Sequence, residues 1–342
     1  MATLLQSNRW RATVLPSRVG AHGSDVRSVG VLGRSGATAV RVAHRLRSVT
    51  PSARRRLLLV HAHPDDETLT TGGTMARYAA APDTSVTLVT CTLGEEGEVI
   101  PPELALLAPD AADQLGGYRI GELTAACAAL GVTDHRFLGG TGRWRDSGMV
   151  LAGHGVRAAT PGRLHPRALA VPDAFADQVD ALTAVLEEIA PQVVVTYAAD
   201  GGYGHPDHVR AHEIAVAAVR RVPEVARLYA TVIGRSALDA GLAELDDAPL
   251  PFRMPEPDEL PSVPDADVDA TLDVSAYRAA RLAALRAHRT QVALSDGSGR
   301  AGRITAYAMS NGVAQPLLDV EEFVLLAGER ADGSDDLFGG AA

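Results

Sequence analysis

The sequence predicts an α/β fold with a mostly parallel, doubly wound sheet, and three observations carry that prediction. Short β-branched runs alternate with stretches of helical periodicity. The first of those runs, Leu57 to Val60, is apolar throughout rather than at every second residue, as in a strand covered on both faces. Two of them lead straight into polar loops rich in His, Asp and Gly, as strands do at a ligand-binding edge.

Residues 57–61 form the first apolar run and read as a buried parallel strand. A polar loop follows, then a helix from Thr70 to about Ala80, then a second strand over residues 86–91, which completes one βαβ unit. Leu115, Ile120, Leu123, Cys127 and Leu130 mark one amphipathic helix, and Val179, Leu182, Leu186 and Ile189 another. Further strands are expected over residues 136–138, 193–197 and 228–233. Six prolines over 249–264 predict an irregular acidic loop, and residues 275–292, with Leu282, Leu285 and Val292 on one side, predict a last helix. The arrangement is Rossmann-like. Its ligand site is expected at the carboxyl edge of the strands.

Composition narrows the chemistry. All 32 basic residues among the 342 are Arg, so a Schiff base, a Walker lysine and a lysine general base are excluded. The only cysteines, Cys91 and Cys127, form no CxxC pair and suggest neither a disulfide framework nor a cysteine metal site. That usage fits a cytoplasmic protein. No apolar run reaches the length of a membrane span. Residues 1–56 carry eleven Arg and a single acid, Asp25, leaving 21 Arg against 41 acids in the remainder. An acidic body disfavours nucleic acid and accommodates a small neutral or cationic substrate. Residues 1–54 read as a disordered basic extension or a start assigned too far upstream. The catalytic domain is expected over 55–328, with a flexible tail over 329–342.

The chemistry lies in two clusters. His61-Ala62-His63-Pro64-Asp65-Asp66-Glu67 follows the first strand, and Gly201-Gly202-Tyr203-Gly204-His205-Pro206-Asp207-His208 follows the strand over 193–197. Imidazole and carboxylate ligands suit zinc, and three of them leave a position open for water. His63 and Asp66 can reach one ion across a tight turn, and His208 can complete the triad. Adjacent Asp65 and Asp66 diverge, so one can ligate while the other handles protons. His208 and His212 have the i, i+4 spacing of a zincin pair, but Val209 stands where its Glu is needed, which keeps His212 out of the site. His22, His44, His135, His154, His165 and His288 read as ordinary surface or packing histidines, and Glu95, Glu96 and Glu98 as a solvated loop.

The two clusters resemble the signatures of the PIG-L/LmbE-like family of zinc-dependent N-acetylglucosamine deacetylases, over most of residues 57–328. CTLGEEGEVI from Cys91, DQLGGYRIGELTAA from Asp113, GGTGRWRDSGM from Gly139 and VVVTYAADGGYGHPDH from Val193 are similar to the branch that acts on N-acetylglucosaminyl-inositol in mycothiol biosynthesis. The resemblance implies one zinc per chain, with ferrous iron the alternative, on His63, Asp66 and His208. It further implies Asp65 as general base, Tyr203 as the donor to the oxyanion, and His205 as electrostatic or general acid partner. Arg119 and Asp146 would contact sugar or inositol hydroxyls; their plainer reading is a salt bridge across loops. A small-molecule glycoside is the expected partner, and the oligomeric state is left open. A sister amidase of mycothiol S-conjugates is the nearest rival. The resemblance places a lysine near Thr70 in those amidases, and this chain has none. A ferrous oxygenase fits the ligands but not the βα alternation. A non-catalytic metal or sugar module leaves Asp65 without a purpose.

Overall fold

The structure is a computed structural model that describes residues 55–152, 157–245, 249–295, 305–330, 333 and 335–339. The extension expected over 1–54 lies outside the described residues, as do His22, His44 and His154. In chain order the first half runs β1 (Arg55–His61), α1 (Asp66–Ala79), β2 (Thr84–Thr90), α2 (Leu115–Leu130), β3 (Asp134–Phe137), β4 (Val150–Leu151) and β5 (Ala158–Ala159). It continues through α3 (Phe175–Ile189), β6 (Val193–Tyr197), α4 (Pro206–Val219), β7 (Arg227–Val232), α5 (Arg235–Ala243), β8 (Ala270–Asp273) and α6 (Arg278–Ala287). Short strands β9 (Ala293–Leu294), β10 (Ala306–Ala308) and β11 (Gln315–Pro316) precede β12 (Val320–Gly328).

The main sheet has the order β3-β2-β1-β6-β7-β12-β8. Its first five strands are parallel, as expected, while β12 runs antiparallel to both β7 and β8. Period-two geometry divides β1 between two cores. Leu57 and Leu59 join Met75, Leu88, Leu123 and Phe323 on one face, and Leu58 and Val60 join Leu182, Leu186 and Ile214 on the other. All four β1 residues are fully buried, which explains their uninterrupted apolar run. Truncating any of the three leucines to Ala costs about 2–5 kcal/mol.

Two differences from the sequence reading matter. Helix α1 starts at Asp66 rather than Thr70, so the acidic pair Asp66 and Glu67 occupies its first turn, where the helix dipole favours negative charge. In the segment expected to be a flexible tail, Leu337 and Phe338 are fully buried in the first core. Apolar bulk outweighs the polar, glycine-rich composition around them. Tyr78 Oη donates to Asp336 at 2.7 Å and accepts from the Leu337 N–H at 2.9 Å. The 249–264 segment holds no named strand or helix, consistent with its prolines. Both cysteines are buried and free. No helix of the described residues is long and apolar enough to cross a membrane.

Candidate metal centre

β1 and β6 lie side by side, Leu57 opposite Val193 through Leu59 opposite Val195. The chain leaves β1 for β2 on one side and reaches β6 on the other, so this junction is the switch point at which open α/β sheets bind ligands. Helices α1 and α4 both start here, presenting their positive ends.

The expected ligands converge across this junction. The His63 backbone N–H donates to Asp66 Oδ2 at 2.9 Å, and His63 Nδ1 lies 3.3 Å from the same oxygen. His208 Nε2 lies 3.3 Å from Asp66 Oδ1. The other ring nitrogen of His208 is 3.1 Å from the Gly201 carbonyl oxygen, which can only accept. Nδ1 therefore carries the proton, and Nε2 presents a lone pair. That buried Nε2 has no hydrogen-bond partner. A lone pair facing a carboxylate oxygen is satisfied by a cation between them, so these residues fit a divalent ion. Gly201 is required for this geometry. Its φ is +68°, and a Cβ there would sit 2.7 Å from His208 Cβ.

His63 is braced from behind, because its Nε2 lies 3.2 Å from Asp207 Oδ2 and 3.5 Å from Asp146 Oδ1. A carboxylate on the far nitrogen orients a ligating imidazole and raises its basicity. Burial opposes a charged His63, yet Asp146, Asp207 and Asp66 together hold its pKa well above the usual value. Burial likewise opposes a charged Asp66, but His208 and His63 hold its carboxyl well below the usual range. His205 plays a different part. Its Nδ1 accepts from the Asp207 N–H at 3.1 Å as the cap of α4, which leaves a proton on Nε2. Burial and the neighbouring His63 and His208 push its pKa down to about 2, so it is a neutral donor. Donor atoms of His63, His205 and His208, and of His63, Asp146 and Asp207, fall within 4.8 Å of one another.

Asp65 sits beside this cluster in a strained backbone conformation, φ 124°, which costs an ordinary residue about 1–3 kcal/mol. Its N–H donates to Glu67 Oε2 at 2.8 Å, and its Oδ2 meets the Arg119 guanidinium at 2.9 Å. Burial pushes the Asp65 carboxyl up to about 6, Arg119 opposes the rise, and Asp66 adds to it. Arg119, expected against substrate hydroxyls, is 2% exposed and also donates to the carbonyls of Gly94 and Pro64. The structure puts it behind Asp65, the salt bridge its plainer reading allowed. Asp146 is similarly turned inward, accepting from the Gly148 N–H at 2.8 Å as well as facing His63. Tyr203 closes one wall, its ring 5.0 Å from that of His208, and burial keeps its hydroxyl protonated by raising its pKa. His212 stands apart on the Tyr197 carbonyl at 2.8 Å, as expected.

Sequence reasoning missed three supports. Asp207 was passed over although it lies inside the second cluster. Tyr197 was read only as the end of an apolar strand, where the signal was a hydroxyl at the carboxyl edge. His288, read as ordinary, is fully buried and pairs with Glu67 at 2.7 Å, a contact 221 residues apart in sequence that no local pattern announces.

Comparison with known proteins gives the family. The family described as PIG-L: GlcNAc-PI de-N-acetylase matches residues 58–219. A 1D-myo-inositol 2-acetamido-2-deoxy-alpha-D-glucopyranoside deacetylase 1 of Saccharopolyspora erythraea is 57% identical over 298 residues, spanning 85% of this chain and 96% of that one. The deacetylase of the same description from Actinosynnema mirum is 58% identical over 294 residues, spanning 85% and 99%. The chain belongs to the PIG-L family. Every residue proposed to hold the metal or act on substrate lies within the family's matched stretch, whereas His288 and the buried Phe338 lie beyond it. Among solved structures, a deacetylase of teicoplanin biosynthesis in complex with teicoplanin aligns at 20% identity over 79% of this chain and 98% of its own, with a TM-score of 0.45.

Proposed function

We propose that this chain hydrolyses the acetamide of 1D-myo-inositol 2-acetamido-2-deoxy-α-D-glucopyranoside, giving acetate and the free glucosaminyl amine. One observation carries the chemistry: the unpartnered Nε2 of His208 faces Asp66, with the Asp65 carboxylate alongside. The substrate rests on relatives of that description at 57% and 58% identity, covered almost end to end.

In this reading His63, Asp66 and His208 hold a divalent ion, for which zinc suits two imidazoles and a carboxylate, as ferrous iron also does. When bound, the ion lowers the pKa of water and polarises a carbonyl. Asp65 takes the proton of the attacking water and returns it to the amide nitrogen as the C–N bond breaks, so that the glucosaminyl group leaves as the amine. Arg119 engages Asp65 Oδ2 and leaves Oδ1 for that proton. A pKa near 6 keeps the carboxylate ionised at neutral pH yet basic enough to act. The Tyr203 hydroxyl donates to the carbonyl oxygen as negative charge gathers there, and the Nε2–H of His205 adds a second donor. Asp146, turned inward, helps Asp207 orient the His63 ring rather than reaching a sugar hydroxyl. The catalytic body is residues 55–339, with 1–54 dispensable.

The test is to incubate zinc-loaded protein with the N-acetylglucosaminyl-inositol and, separately, with a mycothiol S-conjugate, at matched metal content. Free amine should form from the first with the higher kcat/KM. The expected cause is the missing lysine near Thr70, since losing one polar contact to a longer acyl group costs about 1–3 kcal/mol. Faster cleavage of the conjugate would assign the chain to the amidases instead.

A further inference from the structure

We propose that Tyr197 positions two metal ligands at once, its hydroxyl fixing Asp66 and its ring fixing His208. This rests on the ligand assignment above and concerns a residue to which that reading gives no role. Tyr197 ends β6 and is 3% exposed. Its Oη accepts from the Ala62 N–H at 2.8 Å and lies 2.8 Å from Asp66 Oδ2. A hydroxyl has one proton, and a carboxylate can only accept, so that proton goes to Asp66. His61 Nδ1, at 3.3 Å, is the weaker neighbour.

Oδ2 of Asp66 then receives two donors, the His63 N–H and the Tyr197 hydroxyl, and cannot swing toward the cation position. Oδ1 is the oxygen left facing His208 Nε2. The ring does the same for the partner ligand. It stacks on His208 at 4.2 Å between centroids and 16° between planes, while the Gly201 carbonyl holds His208 Nδ1. Two contacts of different kinds thus fix the rotation of two side chains from one tyrosine, which is itself tied down by His212 on its carbonyl. Ordering the ligands before the ion arrives removes an entropy cost from binding.

The experiment measures zinc affinity of the full chain by competition with a chelator, for wild type, Tyr197→Phe, Tyr229→Phe and Asp66→Ala. Tyr197→Phe keeps the stacked ring and loses only the hydroxyl, and it should weaken zinc binding by about 10–100-fold. Tyr229, fully buried against Phe323 on the neighbouring strand, controls for loss of any buried tyrosine hydroxyl and should leave affinity unchanged. Wild-type affinity in Tyr197→Phe, or an equal loss in Tyr229→Phe, overturns the proposal. Asp66→Ala separates the two readings. If it binds zinc normally, the ligand assignment fails; if it loses zinc while Tyr197→Phe does not, only the role of Tyr197 fails. Should Tyr197→Phe be unfolded without metal, the same titration is run in trimethylamine N-oxide, which restores burial, with the fold verified by circular dichroism.

Discussion

Two regions of the main sheet bury their side chains for different reasons. At the carboxyl ends of β1 and β6 the buried groups include His63, Asp66, His205, Asp207 and His208, which hold one another at about 3 Å, and Asp65, which is held by Arg119. At the antiparallel end, around β12 and β8, the fully buried groups are Leu272, Phe323, Leu337 and Phe338. Equal burial therefore has opposite meanings. The polar region places groups for a reaction, whereas the apolar region supplies the stability that tolerates such placement. Substitutions in the first should alter metal binding or turnover with little change in melting, and substitutions in the second should do the reverse.

The largest effect expected from this contrast is in Asp66→Ala and His208→Ala, each of which removes one of the three proposed protein ligands. Purified variants should carry no stoichiometric zinc by elemental analysis and show no turnover above background. Next comes Asp65→Asn, which should retain zinc and lose about 10²- to 10⁴-fold in kcat. Turnover near wild type would require another base. On the apolar side, Phe338→Ala should lower unfolding free energy by about 3–5 kcal/mol in urea titration, with activity per folded molecule unchanged. A loss of activity without a loss of stability would break the comparison. Arg119→Met should give a smaller, pH-dependent effect. Asp65 must be ionised to act, its carboxyl stands at about 6, and Arg119 holds it from going higher. Removing that cation raises the pKa, so the acid limb of kcat/KM should move to higher pH, with the loss greatest below pH 6 and least above pH 8. A limb that stays in place would remove Arg119 from this role. The smallest effect is expected from deleting residues 1–54, which should leave kcat/KM and melting unchanged.

The sequence made the parallel half of the fold readable because each element there is local. Leu57 to Val60 need no partner to be recognised as a buried strand, and His63, Asp66 and His208 stand in short clusters. Strands β8 and β12 were not foreseen. In β12, Glu321 and Glu322 interrupt the apolar pattern because both carboxylates are used internally, Glu321 accepting from the Gly73 and Thr74 N–H groups of α1 and Glu322 from that of Gly234. A strand whose polar residues answer a helix distant in sequence has no signature of its own. The same applies to Arg119, whose partner Asp65 lies 54 positions away, and to Tyr197, whose role depends on two residues from different loops. Motifs report ligands, while the side chains that orient them are set by tertiary contacts.

The anchoring of Leu337 and Phe338 also imposes an order in time. Tyr78 stands at the end of α1, the helix that opens with Asp66, and its hydroxyl finds its partner 258 residues later in the chain. Arg55, at the start of β1, pairs with that same Asp336, and Arg227 of β7 donates to the Phe338 carbonyl at 2.5 Å. At a synthesis rate of about 5–20 residues per second, the first helix waits roughly 13 to 50 seconds for these contacts. Over the second half of that interval the nascent body has both histidine and aspartate clusters but not the side chains that seal its first core. The earliest part of the domain to be made is thus among the last to be finished.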